Sequence, residues 1–344
     1  QTAALLPLPL AFQWHLAGNK SELQLDNLAL QWAAGTTLRT SGTLSQPLAL
    51  EKMRLRLPNV QLRTVKSDMQ LLYTDTSIGL PAYVQLQGGT EWSQQGFKGN
   101  LKLLLPDGDA WLSVDVDQTD RLRYVADVQL EGTAWADLFK QADWGDVALN
   151  LRAEGAGTDP QSLEAALEGR FNKLAYRSEK LDGLEFSGRL QSGKFDFSAK
   201  VDQEVLAFEL GATGDIDSLR NALDLRLQLF RAQLHRLGLR EEELLARLEL
   251  EAHYQARGQD LQARLAFNDL QLQNSTTIYK LERQGFELAS GTQGSSASAN
   301  GALAQGKLTA NAGIDSLLAA IDAWQTAQSW AALGSLELDA QLQI

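Results

Sequence analysis

Apolar and polar residues alternate one for one along most of the chain. Leu223, Leu225, Leu227 and Leu229 are separated by Asp, Arg and Gln. The same spacing runs through Leu206, Phe208 and Leu210, through Phe195 and Phe197, and through Leu248 and Leu250. It recurs at Leu55 and Leu57, at Leu101 and Leu103, at Val114 and Val116, and at Leu336, Leu338 and Leu342. At 100° per residue a helix would scatter these side chains around its circumference, whereas a strand sets them all on one face. Leucine's modest β propensity yields to burial of one sheet face. Turn signals divide the runs at Gly88–Gly89, Pro106–Asp109, Gly155–Gly157 and Ser192–Gly193. One such signal every dozen residues or so predicts roughly twenty short strands. The expected fold class is all-β: a long curled sheet with an apolar concave face and one or two short helices.

A second template repeats at Leu23–Leu30, Leu55–Leu62 and Leu265–Leu272. In each, two apolar pairs flank two residues drawn from Asn, Asp and Pro, so the middle step is three residues. In a flat strand an odd step sends the later pair to the opposite face. A β-bulge restores the facing, and Asn, Asp and Pro suit such a break. A tight turn between two separate strands fits the template equally well. Bends recurring along a sheet would curl it into a trough.

Helical spacing is scarce. Ala134–Phe139 predicts one short turn of helix. Ile314, Leu317, Leu318, Ile321 and Trp324 recur at three and four and predict an amphipathic helix over 314–332. Glu241–Leu245 fits either a helix start or a loop. Each is expected to clip an edge or an end of the sheet. No apolar run approaches the roughly twenty residues of a membrane span. The longest, Ala3–Phe12, is broken by Pro7 and Pro9 and has no basic leader. The chain therefore reads as a segment of a longer protein, with any anchor outside it. Within it, 1–344 forms one sheet or two consecutive portions, 1–125 and 126–344.

Composition removes most chemistry. With 31 basic against 43 acidic residues the net charge is −12, against a nucleic-acid partner, which needs clustered Lys and Arg on phosphates. The chain has no cysteine and three histidines, His15, His235 and His253. His235 and His253 fall 18 residues apart on different predicted strands, so no metal site is expected. Acidic pairs such as Asp107 with Asp109, or Glu241 to Glu243, sit in predicted turns or on polar faces. Gly155–Gly157 lacks the third glycine of a dinucleotide loop, and no nucleophile elbow is present. Asn274–Thr276 matches a glycosylation acceptor, a motif too short to carry weight. Neither an enzyme nor a cofactor is expected.

Leucine is the outlier, at 64 residues against 10 Val and 6 Ile. A sheet carrying that much leucine on one face either closes into a dry sandwich or stays open and is filled by something else. Lipid is a natural occupant. At ~0.8 kcal/mol per methylene, two sixteen-carbon acyl chains resist entering water by about 20–25 kcal/mol. The expected lining is Leu101, Leu103, Phe195, Phe197, Leu206, Phe208, Leu223, Leu225, Leu227, Leu229, Leu248, Leu250, Leu265 and Phe267. Twenty strands at about 4.8 Å would extend the trough to the order of 100 Å, a distance that suits two membranes.

Several spaced positions also resemble a known family. They are Phe171, Leu174–Tyr176, Leu184–Gly188, Phe195–Ser198, Asp202, Leu206–Phe208 and Gly214–Ile216. The pattern continues through Ala232–Leu239, Gly258, Leu261, Phe267–Leu270 and the predicted helix near 314–332. Over about 125–335 it resembles the repeated region of TamB-type translocation and assembly module proteins, relatives of the AsmA family. The resemblance implies a periplasmic location in a Gram-negative bacterium, anchored in the inner membrane by a segment outside this one. It implies an elongated β-taco with an apolar interior that carries phospholipid toward the outer membrane. It also implies a BamA-like (TamA-type) partner barrel, contacted through regions outside this segment. Two other readings stay open: an assembly chaperone whose sheet edges template outer-membrane protein strands, and a dry-cored adhesin stalk.

Overall fold

Side-chain alternation produces the strands it predicts. The computed structural model describes residues 10–73, 77–140, 143–159, 162–216, 220–292, 294–311 and 338–343. The fold is all-β, antiparallel strands of up to 14 residues with two short α-helices among the described residues. The chain divides into two compact units, Gln1–Asp159 with Leu163–Glu185, and Pro160–Ser162 with Phe186–Ile344. Position 125 lies inside a strand, and the division falls later.

The first unit begins with β1 (Leu10–Gln13), β2 (Leu16–Gly18), β3 (Glu22–Trp32), β4 (Thr36–Ser45) and β5 (Arg54–Val65). Helix α1 (Lys66–Leu72) follows, then β6 (Tyr83–Ser93), β7 (Gly96–Leu105), β8 (Gly108–Asp117) and β9 (Arg123–Gly132). Helix α2 (Ala134–Leu138) precedes β10 (Trp144–Ala156), β11 (Glu164–Tyr176) and β12 (Glu179–Lys180). From β3 to β11 each strand pairs with the next. Direct partners in an antiparallel pair share a face. One apolar row therefore crosses the unit: Phe12, Leu30, Leu38, Leu62, Leu86, Leu103, Ala110, Leu130, Leu149 and Phe171.

The odd-step template is a bulge in two of its three occurrences. Leu25 pairs with Gly42 and Leu28 with Thr40, so Asp26 and Asn27 together oppose Ser41. Leu57 pairs with Thr90 and Val60 with Gly88, with Pro58 and Asn59 opposite Gly89. Both flanking pairs thus stay on one face. Gly88–Gly89 consequently lies inside β6 and is not a turn. A Cβ on Gly88 (φ 153°) would collide with the Asn100 carbonyl, and one on Gly89 would press on that of Pro58. Such glycine pairs mark close backbone approach within a strand as readily as they mark a turn. The third occurrence breaks at Asp269, where φ reaches 121° and the chain passes to a new strand.

Helix α2 forms where predicted and clips one end of the unit. Its Trp135 packs with Leu105, Ala110 and Ala134, and its indole N–H donates to the Glu131 carbonyl at 3.3 Å. Helix α1 was not foreseen. Its Asp68 is almost wholly buried and accepts hydrogen bonds from Gly35 N (2.9 Å), Ala34 N (3.3 Å) and the Thr36 hydroxyl (2.8 Å). Burial pushes the pKa of that carboxyl up, but these hydrogen bonds outweigh it and hold the group below the usual carboxylate range.

Strand β13 (Leu184–Gln191) spans the division. The second unit continues with β14 (Lys194–Asp202), β15 (Leu206–Ile216), β16 (Arg220–Gln233), β17 (Leu245–Arg257) and β18 (Asp260–Phe267). Then come β19 (Leu270–Gln273), β20 (Ile278–Leu281), β21 (Gln284–Gly291), β22 (Gly294–Gly301), β23 (Gln305–Ala310) and β24 (Leu338–Gln343). The sheet forks at β17, which pairs with β18 over Leu250–Arg257 and with β19 over Leu245–Arg247. β18 passes the sheet on to β21, and β19 forms a side hairpin with β20. Ser192–Gly193 makes the expected two-residue turn, with both φ values positive (50° and 79°). Glu241–Leu244 is a loop, and His235 lies in a turn after β16 and not on a strand. The amphipathic helix expected over 314–332 lies outside the described residues.

Candidate functional site

All fourteen expected lining residues lie on apolar sheet faces. Leu101 and Leu103 are on β7 of the first unit, two residues apart, with direct partners Leu112 and Ala110 on β8. The other twelve lie in the second unit, where the register brings them together. Phe208, Leu229 and Leu248 form one transverse row across β15, β16 and β17. Leu227, Leu250 and Phe267 form the next, across β16, β17 and β18. Leu225, Ala252 and Leu265 form a third, which Phe197 joins through Ala212. Phe195 reaches Leu223 through Gly214. Leu206 opposes Ala232, beyond a bulge that leaves Phe230 unpaired.

Every one of the fourteen is half-buried. A dry sandwich closes its inner faces at core packing density and buries such leucines fully. Among the described residues fourteen apolar side chains are buried, six of them alanine, and none is a predicted lining residue. In the second unit the buried set is Val201, Val205, Ala207, Ala232, Leu237 and Ala246, at strand ends and connections. Among the described residues the middle of the apolar face is paired within its own sheet and only half-buried.

Sequence reasoning missed a cavity on this face. A cavity of about 650 Å³ opens over β17, β18, β21, β22 and β23. Ala252, Ala263, Ala297, Ala299 and Gly306 form its floor, and Tyr254, Leu265, Phe286 and Leu288 rise around them. The cavity falls in the size range that holds small apolar ligands. Phe286 meets Phe267 edge to face at 6.3 Å. Only Leu265 of the expected lining borders it. The Ala-x-Tyr and Ala-x-Ala alternation at 252–254 and 297–299 was the available signal, but small residues do not register as apolar runs.

The opposite face is polar and held by cross-strand ion pairs. Arg152 meets Asp127 at 3.3 Å, and Lys98 meets Asp115 at 2.8 Å. The Asp115 carboxylate holds Lys98 above the usual lysine range. Asp224 pairs with His253, and Arg264 with Glu287, each across adjacent strands. His253 is thereby a surface partner of a carboxylate. Among the described residues no group of three or more His, Asp and Glu could hold a metal ion, and no helix is long and apolar enough to cross a membrane.

Fold and site together define a class: an all-β protein whose strands are polar on one side and carry half-buried apolar rows on the other. No family model, no curated protein and no solved structure matches the chain.

Proposed function

We propose that the apolar faces of this protein hold phospholipid acyl chains and pass them along without covalent chemistry, as a segment of a TamB-type lipid conduit. The reading places the chain in the periplasm of a Gram-negative bacterium, tethered to the inner membrane and reaching a TamA-type barrel through regions outside this segment. The observation that carries it is half-burial of a whole face. Leucine rows such as Leu227–Leu250–Phe267 are side by side in their own sheet and stay half-buried among the described residues. An apolar surface of this extent in water is unfavourable at ~25 cal/mol per Å² and calls for an occupant. Acyl chains fit because they need continuous apolar contact and no directed hydrogen bond.

Organic extraction of the purified chain followed by mass spectrometry tests this, with phospholipid recovered at near-stoichiometric amounts as the expected result. Leu225→Asp combined with Leu250→Asp should abolish that recovery while the circular dichroism of the sheet persists. A lipid-free preparation that stays folded and monomeric overturns the reading.

The sheet edge favours a second reading, the assembly chaperone. β20 pairs with β19 on one side and leaves Ile278 and Tyr279 53% and 60% exposed. A nascent strand could add there by main-chain hydrogen bonding. Crosslinks from β20 to client strands, in place of crosslinks from the leucine rows to lipid, would decide for it.

A further inference from the structure

The polar face of the first unit holds a cleft that the lipid reading does not use. It has a volume of about 650 Å³ and spans β5 to β9. One transverse row crosses it: Gln61, Gln87, Lys102, Trp111 and Gln129, each the direct partner of the next. A neighbouring row supplies Gly89, Asn100, Ser113 and Asp127, whose carboxylate is paired with Arg152 at 3.3 Å. Trp111 alternates with Ala110 and Leu112 on β8, so its indole stands on the hydrophilic side of the sheet. It is 39% exposed there. An aromatic ring on a face otherwise made of amides and charges has no core to join.

The surroundings of Trp111 match one kind of ligand. Lys102 lies over the indole at 4.3 Å, and Asp109 neutralises its ammonium at 3.1 Å. The cleft is therefore not a site for a phosphate or a carboxylate. The side-chain amides of Gln87, Asn100 and Gln129 have no hydrogen-bond partner among the described residues, and each offers both donors and an acceptor. A pyranose ring presents an apolar C–H face to an aromatic and hydroxyls at its rim to amides. We infer that this cleft binds a neutral saccharide, with the face of Trp111 that Lys102 does not cover as the stacking platform and Gln87, Asn100 and Gln129 taking the hydroxyls. The sugar comes either from a free glycan chain or from the headgroup of a glycolipid.

Isothermal titration of the full chain with maltotriose, cellotriose and chitotriose, beside vesicles with and without a glucosyl diacylglycerol, tests the site. Saturable binding of a trisaccharide assigns a free glycan, and binding confined to the sugar-bearing vesicles assigns a headgroup. Trp111→Ala should weaken either by about tenfold, the loss of one stacking contact. Gln129→Ala should weaken it severalfold, and this variant keeps the test valid if Trp111→Ala fails to fold. Binding by none of the probes, or affinity unchanged in both variants, overturns the site. Neither outcome bears on acyl chains at the opposite face.

Discussion

The ring of Phe195 on β14 lies across Gly214, its direct partner on β15, so closely that a Cβ on Gly214 would collide with it. The same device recurs in the first unit, where the Tyr124 ring occupies the space above Gly155. On a half-buried sheet face, an aromatic side chain finds apolar contact by lying down on a glycine in the next strand. Gly214→Val should therefore cost about 1–3 kcal/mol, the usual effect of overpacking, although the site is not in a closed core. Urea denaturation checks it, and Phe195→Ala combined with Gly214→Val should recover part of the loss. The Ala222 carbonyl crowds the same position, so the part of the loss that Phe195→Ala does not recover belongs to that backbone contact; a neutral Gly214→Val would show that both the ring and the neighbouring strand give way.

Trp135 is the largest side chain in the buried cluster of the first unit, beside Leu105, Ala110 and Ala134. Removing it opens a cavity and deletes the hydrogen bond to Glu131. Trp135→Ala should destabilise the first unit by about 3–5 kcal/mol. Hydrogen exchange localises the effect, with amides of β7 to β10 losing protection and those of β14 to β18 keeping theirs. Equal loss in both sets would mean that the units unfold as one.

Asp68 should make the first unit acid-sensitive. Its folded pKa lies below the unfolded value of about 3.9, because the charged form accepts the hydrogen bonds of Ala34, Gly35 and Thr36. A carboxyl of this kind contributes its full stability above the unfolded pKa and loses it as pH falls through the folded one. The thermal midpoint of the parent should thus drop on acidification below about pH 4. Asp68→Asn should begin lower at neutral pH and fall less steeply. Parallel curves for parent and variant would remove Asp68 from the account.

Period-two alternation made the strands and their inward positions legible, because leucines at i and i+2 can share a face only in extended chain. The Asp26–Asn27 and Pro58–Asn59 steps were legible as breaks, but one sequence cannot separate a bulge from a turn when the deciding partner, Ser41 or Gly89, lies on another strand. Gly88–Gly89 misled for the same reason, since what excludes a side chain there is the Asn100 carbonyl some dozen residues away. Helix α1 escaped notice because Lys66–Leu72 is short and its anchor, Asp68, binds a hairpin more than thirty residues earlier. The cavity beside Phe286 was hidden by its alanine floor. Long-range partners decide each of these features, and local pattern does not carry them.

That alanine floor gives the sharpest test of whether the apolar face is an occupied surface. Ala297 on β22 lies beside Leu288 and Ala263 in one transverse row and borders the 650 Å³ cavity. In a closed core, Ala297→Trp would clash and cost several kcal/mol; on an uncovered face the indole has room and shields Leu288 and Phe286 from water. Stability should stay within about 1 kcal/mol of the parent. The cavity, however, would be filled by the protein itself, and the phospholipid recovered per chain should fall. Ser298→Trp, one residue along and on the polar face, is the matched control and should leave lipid recovery unchanged. Equal lipid content in Ala297→Trp and the parent would mean that acyl chains do not enter the cavity. Strong destabilisation would mean that something in the fold already fills it.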